Sequence, residues 1–372
     1  MPLVLVPRRD RCASSPAGLH VLSNMQWFYG PTWGSTLRRC EQLGARQRLG
    51  GCTNPEEFRA RQLELVEVLR RNVVNAAVTE VHVLVGEAEP LRRFLSHLPW
   101  FERLGCKVHL VETGTRPRFS DYMRHLSGPL RGRTVAFVNQ DVFLEGARWE
   151  SVPRTLGRGE AYFLSRYHTR EQYDVQHSLA AGAAEGLFNA SLAVAVASSP
   201  SALSLTRSFV TPKGQQREKR MCDMTASRFA VWRRSLCSSA NFGSFDAYVL
   251  RLERALTAAE IDLFDYPQNA WGGENLFLYL VQRALGMAAS NPCLSLRAVH
   301  MHCELATAFG VQKVGDRRLG KREIIERARS KLQAMGHTAV AAGAHVKIGE
   351  MRLNVTTLPR GPTLAHGDNR LL

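Results

Sequence analysis

Across 372 residues there is no apolar run near the roughly 20 residues needed to cross a bilayer. The start, Met1 to Pro7 followed by Arg8, Arg9 and Asp10, has no basic region ahead of its apolar stretch. That stretch is also too short for a signal peptide. These absences predict a soluble, cytoplasmic chain with no transmembrane segment. There is no Cys-x-x-Cys pair either. The eight cysteines (Cys12, Cys40, Cys52, Cys106, Cys222, Cys237, Cys293 and Cys303) are scattered, and reduced thiols are expected rather than a disulfide framework or a zinc site. The sequons at Asn189 and Asn354 are then chance matches, since nothing directs the chain to the secretory pathway.

The glycine fingerprints of P-loop and dinucleotide-binding folds are missing, which disfavours an NTPase or a dehydrogenase. A serine nucleophile elbow is missing too. Acidic residues are in deficit: 33 Asp and Glu against 49 Lys and Arg give a formal charge of +16. Such a balance attracts polyanions, including nucleic acid, anionic membrane and phosphorylated ligands. The charge is dispersed, however, with no long basic block and no aromatic RNA-binding platform, so nucleic acid is not expected as the main partner. No internal repeat is present.

What remains is a chain that is 45% hydrophobic, enough for one large α/β domain or two modest ones. Residues 1–17 read as a disordered leader. A first strand begins at His20, and residues 30–55 form an irregular loop. Apolar positions from Phe58 to Leu69, spaced between charges, predict an amphipathic helix over Glu56 to Asn72. Strands follow at Glu80 to Val85, Lys107 to Val111 and Thr134 to Val138, separated by helices over Pro90 to Leu104 and Phe119 to Leu126. Ser120 and Asp121 stand in the first turn of the latter, where they can cap it. This alternation predicts an open, mostly parallel sheet with helices on both faces. Beyond Leu164 the pattern loosens into an insertion over about 175–240. It returns at Ala247 to Leu250, in a helix from Glu274 to Leu285, and in a tail helix over Lys321 to Met335. The predicted organisation is therefore a main domain over 18–304 and a helical, basic tail over 305–372 whose end, from 358, is disordered.

In such sheets ligands bind at the carboxyl ends of the strands, which is where Asn139, Gln140 and Asp141 stand. A carboxylate there can reach ribose and a divalent cation such as Mg²⁺ or Mn²⁺. A lone strand-end Asp more often caps a turn, so companions matter. Asp246 follows a Gly-Ser turn at the start of a strand, where it could contact acceptor hydroxyls or act as a general base. Glu274 and Asn275 open a helix after Gly272 and Gly273, a place that favours anionic or hydroxyl-rich partners. His300 and His302 alternate on an extended segment and so face one side. Arg116 and Arg118 could pair with a diphosphate. Each has a plainer reading: turn residue, first-turn acid, satisfied histidine or solvated arginine.

In order, these segments are Arg61 to Glu64 with Arg71 and Asn72, Val83 to Glu87, Arg116 to Asp121, Asn139 to Leu144, Leu164 to Tyr167, Ser244 to Tyr248, Gly272 to Asn275, and Asn291 to His302. The series resembles the GT-A-like glycosyltransferase family of bacteria, algae and large algal viruses, over about residues 19–304. Arg118 stands where that family has Thr, and the insertion and early loop are longer here. The resemblance implies a GT-A-like (Rossmann-like) α/β fold, a nucleotide-sugar donor, and a glycan or other hydroxyl acceptor. It also implies a divalent cation, Mn²⁺ or Mg²⁺. Asp246 and Glu274 would then be catalytic. Arg116, Arg118, Asn139, Asp141, Arg166 and Asn275 would bind the donor, and Asp141, His300 and His302 the metal. The competing expectations are a non-catalytic descendant that binds a glycan or a partner, and a basic protein associated with nucleic acid.

Overall fold

The computed structural model describes residues 18–26, 55–168, 206–210, 216–220, 237, 245–268, 273–301, 321–336, 353 and 356–358. The expected leader, the early loop, most of the insertion, Gly272, His302 and the end of the tail lie outside the described residues. β1 (Leu19–Asn24) is followed by α1 (Pro55–Val74), β2 (Val78–Val85), α2 (Ala88–Ser96), α3 (Pro99–Leu104) and β3 (Val108–Glu112). Next come α4 (Phe119–Ser127), β4 (Thr134–Val138), β5 (Val142–Glu145), α5 (Val152–Thr155) and β6 (Glu160–His168). β7 (Thr206–Val210) and β8 (Gln216–Arg220) form a separate two-stranded antiparallel sheet. β9 (Phe245–Leu250), α6 (Ala258–Leu263), α7 (Gly273–Arg283), β10 (Ala288–Ser290), β11 (Arg297–His300) and α8 (Lys321–Ala334) complete the elements.

The main sheet has the order β3-β2-β1-β4-β9-β6-β11-β5, with β10 also paired to β6. The first four strands run parallel, as expected for buried strands joined by helical crossovers. β9 then enters antiparallel between β4 and β6, and β5 pairs antiparallel with β11. The architecture is thus α/β, with a mixed sheet of nine strands flanked by helices.

Strand alternation distributes the core over two faces. Val21, Val81, Val83, Ala136 and Val138 pack with Leu65, Val66 and Leu69 of α1 and Phe94 of α2. Leu22, Leu84, Val135, Phe137 and Tyr248 pack on the other face with Phe119, Tyr122 and Met123 of α4 and Phe277 of α7. Phe137 stacks on Tyr122 with ring centroids 4.1 Å apart, joining sheet to helix.

Three departures from the expectations have physical causes. The helix expected over Pro90 to Leu104 is two helices, because Pro99 pushes the preceding residue out of the helical region; Leu98 is extended at φ −87°, ψ 127°. β5 is a short edge strand hidden in a segment read only as a loop motif. Its exposed edge is satisfied by side chains of the first helix and the turn after it. Asn72 Nδ2 donates to Val142 O (3.1 Å), Asn72 Oδ1 accepts from Leu144 N (3.0 Å), and Asn75 Nδ2 donates to Leu144 O (2.9 Å). The third departure corrects the expectation of reduced thiols. Cys237 and Cys293 form a disulfide with Cα atoms 5.9 Å apart, and Cys106 is disulfide-bonded as well. The two partners are 56 residues apart and meet only through the fold, so spacing could not reveal them. Disulfides form and persist in oxidising compartments, so the expectation of a cytoplasmic chain loses its cysteine argument. Among the described residues no helix is long and apolar enough to cross a membrane.

Candidate active site

Strand order reverses between β1 and β4, since β2 and β3 lie on one side of β1 and the rest of the sheet on the other. The crevice at such a switch point, outside the carboxyl ends of the strands, is the usual ligand site in open α/β sheets. The chain leaves β1 through Met25 and Gln26, and leaves β4 through Asn139, Gln140 and Asp141. The two exits are tied together: Gln26 N donates to Gln140 Oε1 at 3.1 Å.

Asp246, the second residue of β9, is the hub of this end and is 2% exposed. Its Oδ1 accepts from Asn139 Nδ2 at 2.8 Å, and its Oδ2 accepts from Arg166 Nη1 at 2.9 Å. Its carbonyl accepts from Asn139 N at 3.1 Å. The antiparallel register that sets β9 between β4 and β6 thus brings an amide from one neighbour and a guanidinium from the other onto one carboxylate. Asn291 braces the strand that carries Arg166. Its Oδ1 accepts from Ser165 N (3.3 Å) and its Nδ2 donates to Ser165 Oγ (3.0 Å).

Arg166 is held more strongly charged than usual, chiefly by Asp246, against the opposing effect of burial, with further contributions from Glu274 and Asp141. Three carboxylates therefore act on one guanidinium, a formal balance of −2 (three negative, one positive) with His300 left aside. Such a balance favours a cation and repels a bare diphosphate. Glu274, at the first turn of α7, accepts from Phe245 N at 3.0 Å, which fixes it beside the residue that precedes Asp246. Asn275 is buried one position further on. His300, at the end of β11, places Nε2 3.2 Å from Asp141 Oδ2, and Met301 N donates to Asp141 O at 2.8 Å.

The structure therefore gathers Asn139, Asp141, Arg166, Asp246, Glu274 and His300 from β4, β6, β9, α7 and β11. It does not bring Arg118 into that group. The Arg118 guanidinium is committed to Asp265, with Nε 2.6 Å from Oδ1 and Nη2 3.0 Å from the carbonyl oxygen. Ser120 Oγ donates to the same carboxylate at 3.0 Å, while Asp121 accepts from Arg118 N at 2.8 Å at the start of α4. Arg118 joins the start of α4 to the turn after α6. Arg116 stands half-buried on the loop before it, where its charge bears on the Tyr122 phenol. Gln140 was named within the strand-end cluster but given no role, and Asn291 was not singled out from the sequence. Both lie inside quoted motifs, but an amide that braces backbone has no periodicity of its own.

Asp141 and His300 set two donor atoms within reach of one ion, and among the described residues no third carboxylate, thiolate or imidazole donor joins them closely. Compared with known proteins, the chain matches no protein-family model and no curated sequence.

Proposed function

We propose that the chain is a GT-A-like glycosyltransferase, moving a sugar from a nucleotide-sugar donor to a glycan or other hydroxyl acceptor. The observation that carries this reading is Asp246 bonded to Arg166, with Glu274 and Asp141 near enough to act on the same guanidinium, beside the point where strand order reverses. An accidental collection of loop acids has no reason to share one guanidinium, whereas group transfer from a diphosphate needs both signs of charge at one place. The nearly all-parallel run β3-β2-β1-β4, with its helical crossovers, supports the nucleotide half of that fold.

The roles in this reading divide as follows. Both Asp246 oxygens are engaged, so Asp246 orients Asn139 and Arg166 towards the donor, while Glu274, less enclosed, faces the acceptor or the transferred sugar. Arg166 and Asn139 contact the donor, with Asn275 behind them, and Arg116 reaches the phosphates from the loop after β3. Arg118 acts structurally. Asp141 and His300 would hold the divalent cation in this reading, the imidazole favouring Mn²⁺ over Mg²⁺, with donor phosphate oxygens supplying further ligands. When bound, the ion would neutralise the departing diphosphate. Isothermal titration with nucleoside diphosphates in the presence of Mn²⁺ tests the assignment. Binding is expected for the unmodified chain and loss of at least about tenfold for Asp141→Ala, the scale of one good charged contact. Binding indifferent to Asp141→Ala would defeat the donor site, and a screen of nucleotide-sugar hydrolysis with and without Mn²⁺ would then decide whether any transfer chemistry remains.

A further inference from the structure

The opposite end of the same sheet holds a second cluster that the glycosyltransferase reading does not use. Parallel register sets His20 of β1 opposite Glu80 of β2, and His82 of β2 opposite His109 of β3. Glu80 and His82 are two residues apart and so share a face with His20 and His109. That is the face covered by α4, whose His125 closes the group from above. Around the single atom Glu80 Oε2 lie His82 Nε2 at 3.2 Å, His20 Nδ1 at 3.3 Å and His109 Nε2 at 3.7 Å. The rings of His82 and His109 stack with centroids 4.7 Å apart.

We propose that His20, Glu80 and His82 form a binding site for Zn²⁺, with the fourth position open to water on the side of His109. Donor atoms of the first three lie within 4.8 Å of one another, and among the described residues no other group of three does so. Zinc takes nitrogen and carboxylate oxygen at about 2.0–2.2 Å in a tetrahedron, which sets its ligands about 3.3 Å apart. The Glu80–His82 and Glu80–His20 separations already have that value. Imidazole donors disfavour Mg²⁺ and Ca²⁺, which prefer oxygen shells.

Two further observations distinguish a metal site from an ordinary polar core. His20 is 2% exposed and, despite its approach to Glu80, neither ring nitrogen completes a hydrogen bond. Burying such atoms without a partner is costly, and coordination through Nδ1, the nitrogen facing Glu80, would satisfy that one. The remaining nitrogen of His82 is also provided for: Nδ1 lies 3.1 Å from Nε2 of His125. With a metal on Nε2, Nδ1–H donates to His125, the outer contact that fixes the tautomer of a metal-bound histidine. Access is open, because the His109 side chain is 44% exposed. The ion would clamp β1 to β2, so its binding energy would appear as stability.

The test uses the full-length chain with any affinity tag removed, stripped with chelator and titrated with Zn²⁺ alone. One tightly bound ion per chain is expected, accompanied by a rise in melting temperature. His125→Ala, which touches no ligand atom of the ion, should weaken binding roughly 10- to 100-fold. Glu80→Gln should weaken it while leaving the chain folded, and Co²⁺ in place of Zn²⁺ should give a tetrahedral visible spectrum that Glu80→Gln abolishes. Absence of stoichiometric binding overturns the proposal. So does binding that survives Glu80→Gln but is lost in His300→Ala, which would assign the ion to the other end of the sheet. The two readings fail separately, since nucleoside diphosphate binding is measured at Asp141 and zinc binding at Glu80.

Discussion

At the carboxyl ends of β4 and β6 and the amino end of β9 the structure keeps its charges and pairs them, whereas towards the amino ends of β1, β2 and β3 it surrounds one carboxylate with imidazoles. Asp246 is as buried as His20, yet it stands against an arginine whose charge it strengthens. His82, by contrast, is pushed down to about 4, first by burial and then by its neighbours His109 and His125, so its ring is neutral near pH 7. Burial lowers His20 and His125 in the same direction. The difference follows from the side chains available. An arginine cannot shed its proton and so must be matched, while a histidine avoids the desolvation cost by becoming neutral. One end is thereby suited to a charged donor accompanied by a cation. The other offers neutral nitrogen lone pairs, which a transition metal takes without first displacing protons.

Neutralising one carboxylate at each end is the strongest way to break this comparison. Asp246→Asn removes the anion bonded to Arg166 and leaves a largely enclosed guanidinium with weaker partners. A loss of about 3 kcal/mol is expected in chemical denaturation, the scale of a broken buried pair. Glu80→Gln, measured without metal, should cost about 1 kcal/mol, because no cation is left uncompensated among neutral imidazoles. Equal losses would mean that the histidines carry charge and that the two ends are alike. A small loss for Asp246→Asn would mean that Glu274 and Asp141 suffice to hold Arg166, which would make the cluster more redundant than its hydrogen bonds indicate.

The two ends also differ in how far the sequence disclosed them. Asn139 and Asp141 were legible because a continuous apolar strand ends at Val138, and a polar residue just beyond such a strand has few places to go. Asp246 and Glu274 were legible through turns rich in Gly and Ser. The pairing of Asp246 with Arg166 was not, because it depends on β9 entering antiparallel between β4 and β6, and strand direction leaves no mark on a hydrophobic pattern. At the amino end the alternation that singled out His300 and His302 is present again at Glu80 and His82. It stands on the strand face opposite Val81, Val83 and Val85, whose apolar run dominates that segment, and its partners His20, His109 and His125 come from three other elements. The helix break at Pro99 was readable from the proline alone. The Cys237–Cys293 bond was not, since nothing local links residues 56 positions apart.

Acid titration sharpens the comparison only if acids outside both ends are accounted for; Asp265 and Glu260 are both lowered, and Glu260 the more strongly. Glu260 stands in the first turn of α6, where Thr257 N donates to its Oε2 at 2.8 Å, Thr257 Oγ1 accepts from Glu260 N at 3.2 Å, and Arg254 Nη1 donates to it at 2.8 Å. The Arg254 hydrogen bond, with those from Thr257, lowers its carboxyl from 4.5 to about 2 despite burial. A carboxyl lowered in the folded state stabilises the chain fully above 4.5, and that contribution is lost as pH falls through about 2. Because the Arg254 side chain is 60% exposed and screened by solvent, the contribution is about 1 kcal/mol or less. Glu260→Gln should therefore lower stability by up to about 1 kcal/mol above pH 4.5 and flatten its fall between pH 4.5 and 2. If the variant and the unmodified chain fall in parallel, the acid sensitivity in that range arises from groups other than Glu260.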